Sequence, residues 1–163
     1  MTKLKNQLIK ALSESGLENT TDHELSAANA YKVIRFRDEV TKAYKDIEEK
    51  RVKLVKENLG EDFEEKSKTA EGKEKEELDK KLVRFSQLYN ELMNDETELN
   101  IKTIPFEEYH ALAKENKQTP IQIPTGEKDK DGRPKMRQGY LDFFTVFRKD
   151  LKDILWTEPA EEE

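Results

Sequence analysis

The chain has 163 residues and carries 36 acidic against 30 basic side chains, a formal net charge of −6 at pH 7. That length suits one domain with at most a small appendage. It has no cysteine, which excludes a disulfide framework, a cysteine metal site and a thiol nucleophile.

Only 34% of the residues are hydrophobic while 40% are charged, so the chain is poor in core formers. A long two-helix packing stays ordered on so little apolar material, because a narrow stripe faces its partner and the rest is solvated. No apolar run approaches the roughly 20 residues that span a bilayer. The opening MTKLKNQLIKAL alternates charge with Leu and Ile and has no signal-peptide h-region, so the expected compartment is the cytoplasm, with no membrane partner. Residues 61–98 hold 13 acidic and 7 basic side chains, and residues 138–163 hold 7 and 3. Residues 99–137 are mildly basic, with 8 against 6. No segment shows the clustered Lys/Arg face that neutralises phosphates, so nucleic acid is not an expected partner.

Residues 2–15 predict a short helix, with Leu4, Leu8, Ile9 and Leu12 at helical spacing and Gly16 as its stop. The TDHE sequence at 21–24 is a capping box that opens a second helix running to Gly60 without an internal Pro or Gly. Such a helix is about 57 Å long at ~1.5 Å per residue and needs a partner along its length. Its stripe is Val33, Phe36, Val40, Ala43, Ile47 and Leu54, close to the 3-4 spacing of a coiled-coil seam. Residues 60–72 (GEDFEEKSKTAEG) are polar and bracketed by glycines, and read as a loop or a frayed helix end. Another helix follows over about 73–94, with Leu78, Leu82, Phe85, Tyr89 and Leu92 at 4-3-4-3. A short connection between two seam-bearing helices makes them antiparallel neighbours, so 33–55 is expected to pair with 78–92.

Further on, ELNIKTI at 98–104 alternates like a strand, and Pro105 begins a short helix, PFEEYHALAKEN. Residues 119–124 (TPIQIP) are a proline-flanked edge-strand candidate that could pair with 98–104 as a small β-ribbon. The TGEKDKDGRPKMR stretch at 125–137 is a turn-rich loop or hairpin tip. The last predicted element is an aromatic-rich helix over 138–156, with Tyr140, Phe144, Phe147, Leu151 and Ile154 in register and Leu141, Phe143, Val146, Leu155 and Trp156 beside them. Apolar on more than one face, it either closes the chain's own core or docks on a partner. On the docking reading the interface comprises Tyr140, Phe143, Phe144, Phe147, Leu151, Leu155 and Trp156, with Phe143 and Trp156 as the anchors. Residues 157–163 form an acidic tail.

No constellation for chemistry is complete. Glu107 and His110 have the i, i+3 spacing of di-iron carboxylate bundles, but such sites need a second motif and two more Glu. The only other histidine is His23, inside the capping box. Asp129-Lys-Asp131-Gly132 begins like a calcium loop, yet residues 133–140 supply no acidic ligand. There is no phosphate-cradling glycine motif and no nucleophile elbow. The chain is therefore expected to be no enzyme, with no cofactor and no metal.

Three stretches together resemble one group of proteins: FRDEVTKAYKDIEEKRVKLVKE at 36–57, LVRFSQLYNELMNDETELNI at 82–101, and IPFEEY at 104–109. They are similar to small helical bacteriophage proteins encoded among structural or early genes, over about residues 25–110. The resemblance implies a charged helix, a Lys/Glu-rich loop, a returning helix, an acidic break and a short strand. It also implies a phage or prophage origin and a role in assembly or host interaction. The sequence thus predicts one mainly α domain over 1–156. It comprises a long antiparallel helical hairpin over about 22–94, a small α+β segment over about 97–137 and a C-terminal helix over 138–156. The expected role is protein–protein contact, with a protein partner or by self-association, as a virion component or assembly factor in the host cytoplasm. The alternatives are a phage-encoded inhibitor whose acidic stretch 61–79 engages a basic host surface and, further off, a helical-bundle metalloenzyme.

Overall fold

The computed structural model describes residues 1–15, 17, 27–115, 119–141 and 147–158. In chain order it contains β1 (Thr2–Lys5), α1 (Asn6–Glu14), α2 (Ala27–Asn58), α3 (Phe63–Thr69), α4 (Lys73–Asn94) and β2 (Glu96–Leu99). These are followed by β3 (Ile104–Pro105), α5 (Phe106–Glu115), β4 (Thr119–Lys128), β5 (Pro134–Leu141) and β6 (Trp156–Thr157). Helix predominates, and among the described residues the strands form three two-stranded pairings: β1 with β2, β3 with β6, and β4 with β5.

The long helix α2 persists because nothing in its 32 residues breaks it. It ends where Gly60, at φ 85°, adopts the left-handed conformation and donates its N–H to the Val55 carbonyl at 3.1 Å. Its expected stripe is buried from Val33 to Ile47, where Val33, Phe36, Val40, Ala43 and Ile47 are at most 4% exposed, while Leu54 is only half-buried. What covers that stripe differs in part from expectation. Ile9 and Leu12 of α1, Leu17, Met93 near the end of α4, Leu99 and Ile101 share one core with it. α1 packs against both α2 and α4, so three helices meet at this end of the molecule. The expected α4 seam is uneven. Leu78 is buried, Phe85, Tyr89 and Leu92 are half-buried, and Leu82 is exposed.

Several expected elements change identity. The helix expected over 2–15 starts as a strand, with Thr2 opposite Leu99 and Lys5 opposite Glu96 in an antiparallel pair. Leu4 fits a helical face and also a period-2 alternation between Lys3 and Lys5, and the pairing with β2 decides in favour of the strand. The loop at 60–72 contains the short helix α3, all of whose residues lie outside the core. The ribbon between 98–104 and 119–124 does not form, since β2 is taken by β1. β4 pairs instead with β5, its neighbour in sequence, across a short turn. Asp129 closes that turn. Its Oδ1 accepts the N–H groups of Asp131 and Arg133, each at 2.9 Å, while Gly132 at φ 77° supplies the left-handed residue.

The C-terminal helix over 138–156 is also corrected. Residues 138–141 belong to β5, and residues 147–155 form consecutive turns ending in β6. A dense aromatic and β-branched stretch suits a strand as well as a helix, and pairing with β4 claims its beginning. Further along, Asp153 sits at φ 62° and its N–H reaches the Trp156 carbonyl at 2.8 Å, which no continuous helix permits. The capping box at 21–24, His23 and tail residues 159–163 lie outside the described residues.

Candidate functional site

The residues expected to form an interface divide into three groups. Tyr140 lies on β5, while Phe143 and Phe144 fall outside the described residues. Phe147 is half-buried against the core, and Leu151, Leu155 and Trp156 are in it, at 3% exposure or less. Trp156 is held from several sides. Its ring centroid lies 5.1 Å from that of Phe106 and 5.5 Å from that of Tyr109, and its indole N–H donates to the Arg148 carbonyl at 3.0 Å. The Arg148 guanidinium covers the outer side, 5.0 Å from the Phe106 ring centre and 5.8 Å from the Trp156 ring centre. β3 and β6 pair in parallel, and the Ile104 N–H reaches the Leu155 carbonyl at 2.8 Å. Trp156 thus anchors the end of the chain to α5 and cannot serve as a docking anchor in this conformation.

The helix carrying Glu107 and His110 offers little chemistry. Both side chains are exposed, His110 sits beside the Phe106 ring, and Glu108 is paired with Lys32 of α2. Among the described residues, no three His, Asp or Glu groups converge where a metal ion could be held. No helix among them is long and apolar enough to cross a membrane.

A polar network marks the junction of the first three long elements. The Lys10 ammonium of α1 donates to the Tyr89 hydroxyl of α4 at 3.1 Å, and the Tyr44 hydroxyl of α2 donates to the Glu14 carboxylate at 3.1 Å. The bond to Tyr89 pushes the Lys10 ammonium above its ordinary value. Burial, then the bond to Glu14, pushes the Tyr44 hydroxyl up in the same way. These contacts tie α1 to α4 and to α2.

Uncovered apolar surface lies on the far half of α2 and on α4, as well as at Tyr31 and Ile34 near the start of α2. Between residues 48 and 92 the buried apolar set contains Leu78 alone, whereas Val52 and Leu82 are 42% exposed and Val83 is 58% exposed. Two depressions run along this arm. One, of about 780 Å³, has Leu54, Leu88 and Leu92 among its lining, with Lys50 and Lys53 on one side and Glu91 and Asp95 on the other. The second, of about 580 Å³, is floored by Val52, Val55, Leu59, Phe63 and Phe85 and edged by Arg51, Lys56, Glu61 and Glu64. Sequence reasoning missed Val52 and Val83, which stand outside both seam stripes. An apolar residue off the stripe of a highly charged helix was the available signal. Past this surface, the Lys66 ammonium at the tip pairs with Asp62 at 2.7 Å and holds that carboxyl below its usual range.

Comparison of the chain with protein-family models, with curated proteins and with solved structures finds no match.

Proposed function

We propose that this chain works by protein–protein contact rather than catalysis, as a phage virion component or assembly factor acting in the host cytoplasm. In this reading α2 and α4 are the two limbs of a long antiparallel hairpin, with α3 at its tip, and the hairpin's far half is the contact surface. The observation that carries it is the uneven burial: between residues 48 and 92 only Leu78 is a buried apolar residue, and Val52, Leu82 and Val83 stay exposed there. Exposed apolar positions beside grooves with charged rims suit a protein surface better than a small reactant. The resemblance of residues 25–110 to small helical phage proteins supports the phage setting.

Quantitative mass spectrometry of particles and assembly intermediates purified from the source phage tests this reading. The chain is expected in one of the two fractions, and a Val52→Asp/Val83→Asp variant is expected to leave it while melting like the parent. A chain missing from both fractions would sink the assembly role.

One observation favours a second reading. Residues 61–79 carry nine carboxylates against four ammonium groups, and α3 within them has no buried residue. Such a tip fits an inhibitor that engages a basic host surface. That reading calls for a salt-sensitive complex with a host protein and no chain in the particles.

A further inference from the structure

We propose that the chain forms a two-fold dimer through the outer edge of β5, joining two β4–β5 hairpins into a four-stranded sheet. The surface differs from the helical arm, and the inference does not depend on the assembly role.

The argument starts from the ladder. In β4 and β5, Pro120 lies opposite Tyr140, Gln122 opposite Gln138, and Pro124 opposite Met136. Proline has no N–H to give, and alternate residues of a strand direct their N–H groups to the same side. Pro120, Gln122 and Pro124 therefore form the row of β4 that faces away from β5, and within it only Gln122 can donate. The outward row of β5 is the mirror case: Met136, Gln138 and Tyr140 all keep their N–H groups, and Pro134 stands only at the strand's first position. Among the described residues no other strand pairs with either edge. One edge is thus blunted by prolines, and the other presents an unbroken run of donors and acceptors.

The occupant that fits the open edge is a second β5. Antiparallel self-pairing about Gln138 places Met136 opposite Tyr140 and Gln138 opposite its own copy. With the symmetry-related pair of Tyr140 and Met136 these make three, each exchanging two backbone hydrogen bonds, about six in all. In this register Arg137 faces Gly139 and Lys135 faces Leu141, so no two cations oppose each other. Shifting the centre to residue 137 would set Arg137 against Arg137 and bring Pro134 opposite Tyr140, losing both charge compatibility and a donor. The proline-blocked β4 edges then lie outside the four-stranded sheet, so pairing closes at two copies and does not propagate into a filament.

Because the chain contains no cysteine, a single introduced thiol reports the register directly. In the full chain, Gln138→Cys should give a disulfide-linked dimer under mild oxidation. The two Cα atoms at the two-fold would be about 5.5 Å apart, within the range a disulfide spans. Met136→Cys places its two thiols roughly 13 Å or more apart along the strand, and Gln122→Cys lies on the blocked edge. Both should cross-link at least tenfold more slowly. In sedimentation velocity over a concentration series, Gln138→Pro should abolish the dimer while Gln122→Pro leaves it intact. If Gln138→Pro lowers folding, seen as a lost far-ultraviolet signal, the cysteine comparison still decides. Equal cross-linking at 122, 136 and 138 would overturn the proposal. So would a parent chain that stays monomeric at every concentration, whether β5 is then unoccupied or holds a strand from another protein.

Discussion

Replacing Asn6 should destabilise the fold more than any other single polar change, for reasons visible in its contacts. Asn6 is 1% exposed and is the one buried polar side chain among the described residues. Its amide Nδ2 donates to the Leu92 carbonyl at 2.7 Å, and its Oδ1 accepts the Thr97 hydroxyl at 2.6 Å. Leu92 lies in the last turn of α4, where carbonyls have no partner inside the helix. Asn6 therefore caps α4 from the start of α1 and ties both to β2. Asn6→Ala removes two hydrogen bonds worth about 1 kcal/mol each and leaves a carbonyl unsatisfied, for a loss of about 3 kcal/mol. For a chain of this length that corresponds to a drop in Tm of roughly 6–12 °C. Asn6→Asp is more diagnostic. An ionised carboxylate cannot donate to the Leu92 carbonyl and meets the negative end of the α4 dipole. Its folded-state pKa should be raised, so the variant's stability is highest below the ordinary carboxylate range and is lost as pH rises through the raised value. Thermal melts across that range should show the gap to the parent narrowing as pH falls. An Asn6→Ala variant within about 0.5 kcal/mol of the parent, the scale of an ordinary surface substitution, would refute the reasoning.

Trp156→Ala should cost about 3–5 kcal/mol in urea unfolding, since it empties the packing against Phe106 and Tyr109 and removes the bond to Arg148. Phe36→Asp should unfold the protein, whereas Phe85→Asp should lower Tm only modestly, because Phe36 is 3% exposed and Phe85 is half-buried. Equal melts for these two variants would mean that α4 is covered as well as α2. The Lys10 and Tyr44 groups both favour their protonated forms in the fold, so their contribution is complete below about pH 10 and is lost as pH rises through the raised values. Tyr44→Phe should flatten that alkaline loss in thermal melts, and an unchanged slope would remove Tyr44 from the account.

Legibility in the sequence followed how many independent signals agreed on each element. The helix expected over 73–94 has those bounds in the structure, because Gly72 opens it, at φ 59°, and five seam positions repeat along it. The stripe from Val33 to Ile47 was readable because burial of a helix face leaves a periodic trace wherever its partner comes from. The partner itself left no such trace. Leu4, Ile9 and Leu12 cover the stripe from a segment too short to declare its neighbours, and Asn6 looks like any polar residue until Leu92 and Thr97 stand beside it. At the C-terminus, the 3-4 spacing of Phe147, Leu151 and Ile154 was real, but the backbone meets it with successive turns onto the Leu151 carbonyl, which accepts from Ile154, Leu155 and Trp156. Periodicity records which residues are wanted inside and does not specify the backbone that brings them there.

The same distinction bears on the contact surface. With so few core formers, the chain buries the start of α2 and the end of α4 more fully than the rest of these helices. The hydrophobic material gathers where α1, β1, β2 and the C-terminal turns add their residues to the start of α2 and the end of α4. Among the described residues the far half receives only α3, whose Phe63 joins the floor of one depression, and Val52, Leu82 and Val83 stay exposed there. Those residues contribute little to the stability of the isolated chain, since half-exposed apolar groups bury little area. Retaining them on a surface otherwise covered by charge makes physical sense if a partner completes the packing. The aromatic cluster around Trp156 is already spent on closing the core. The arm is the place where added apolar surface would still be buried.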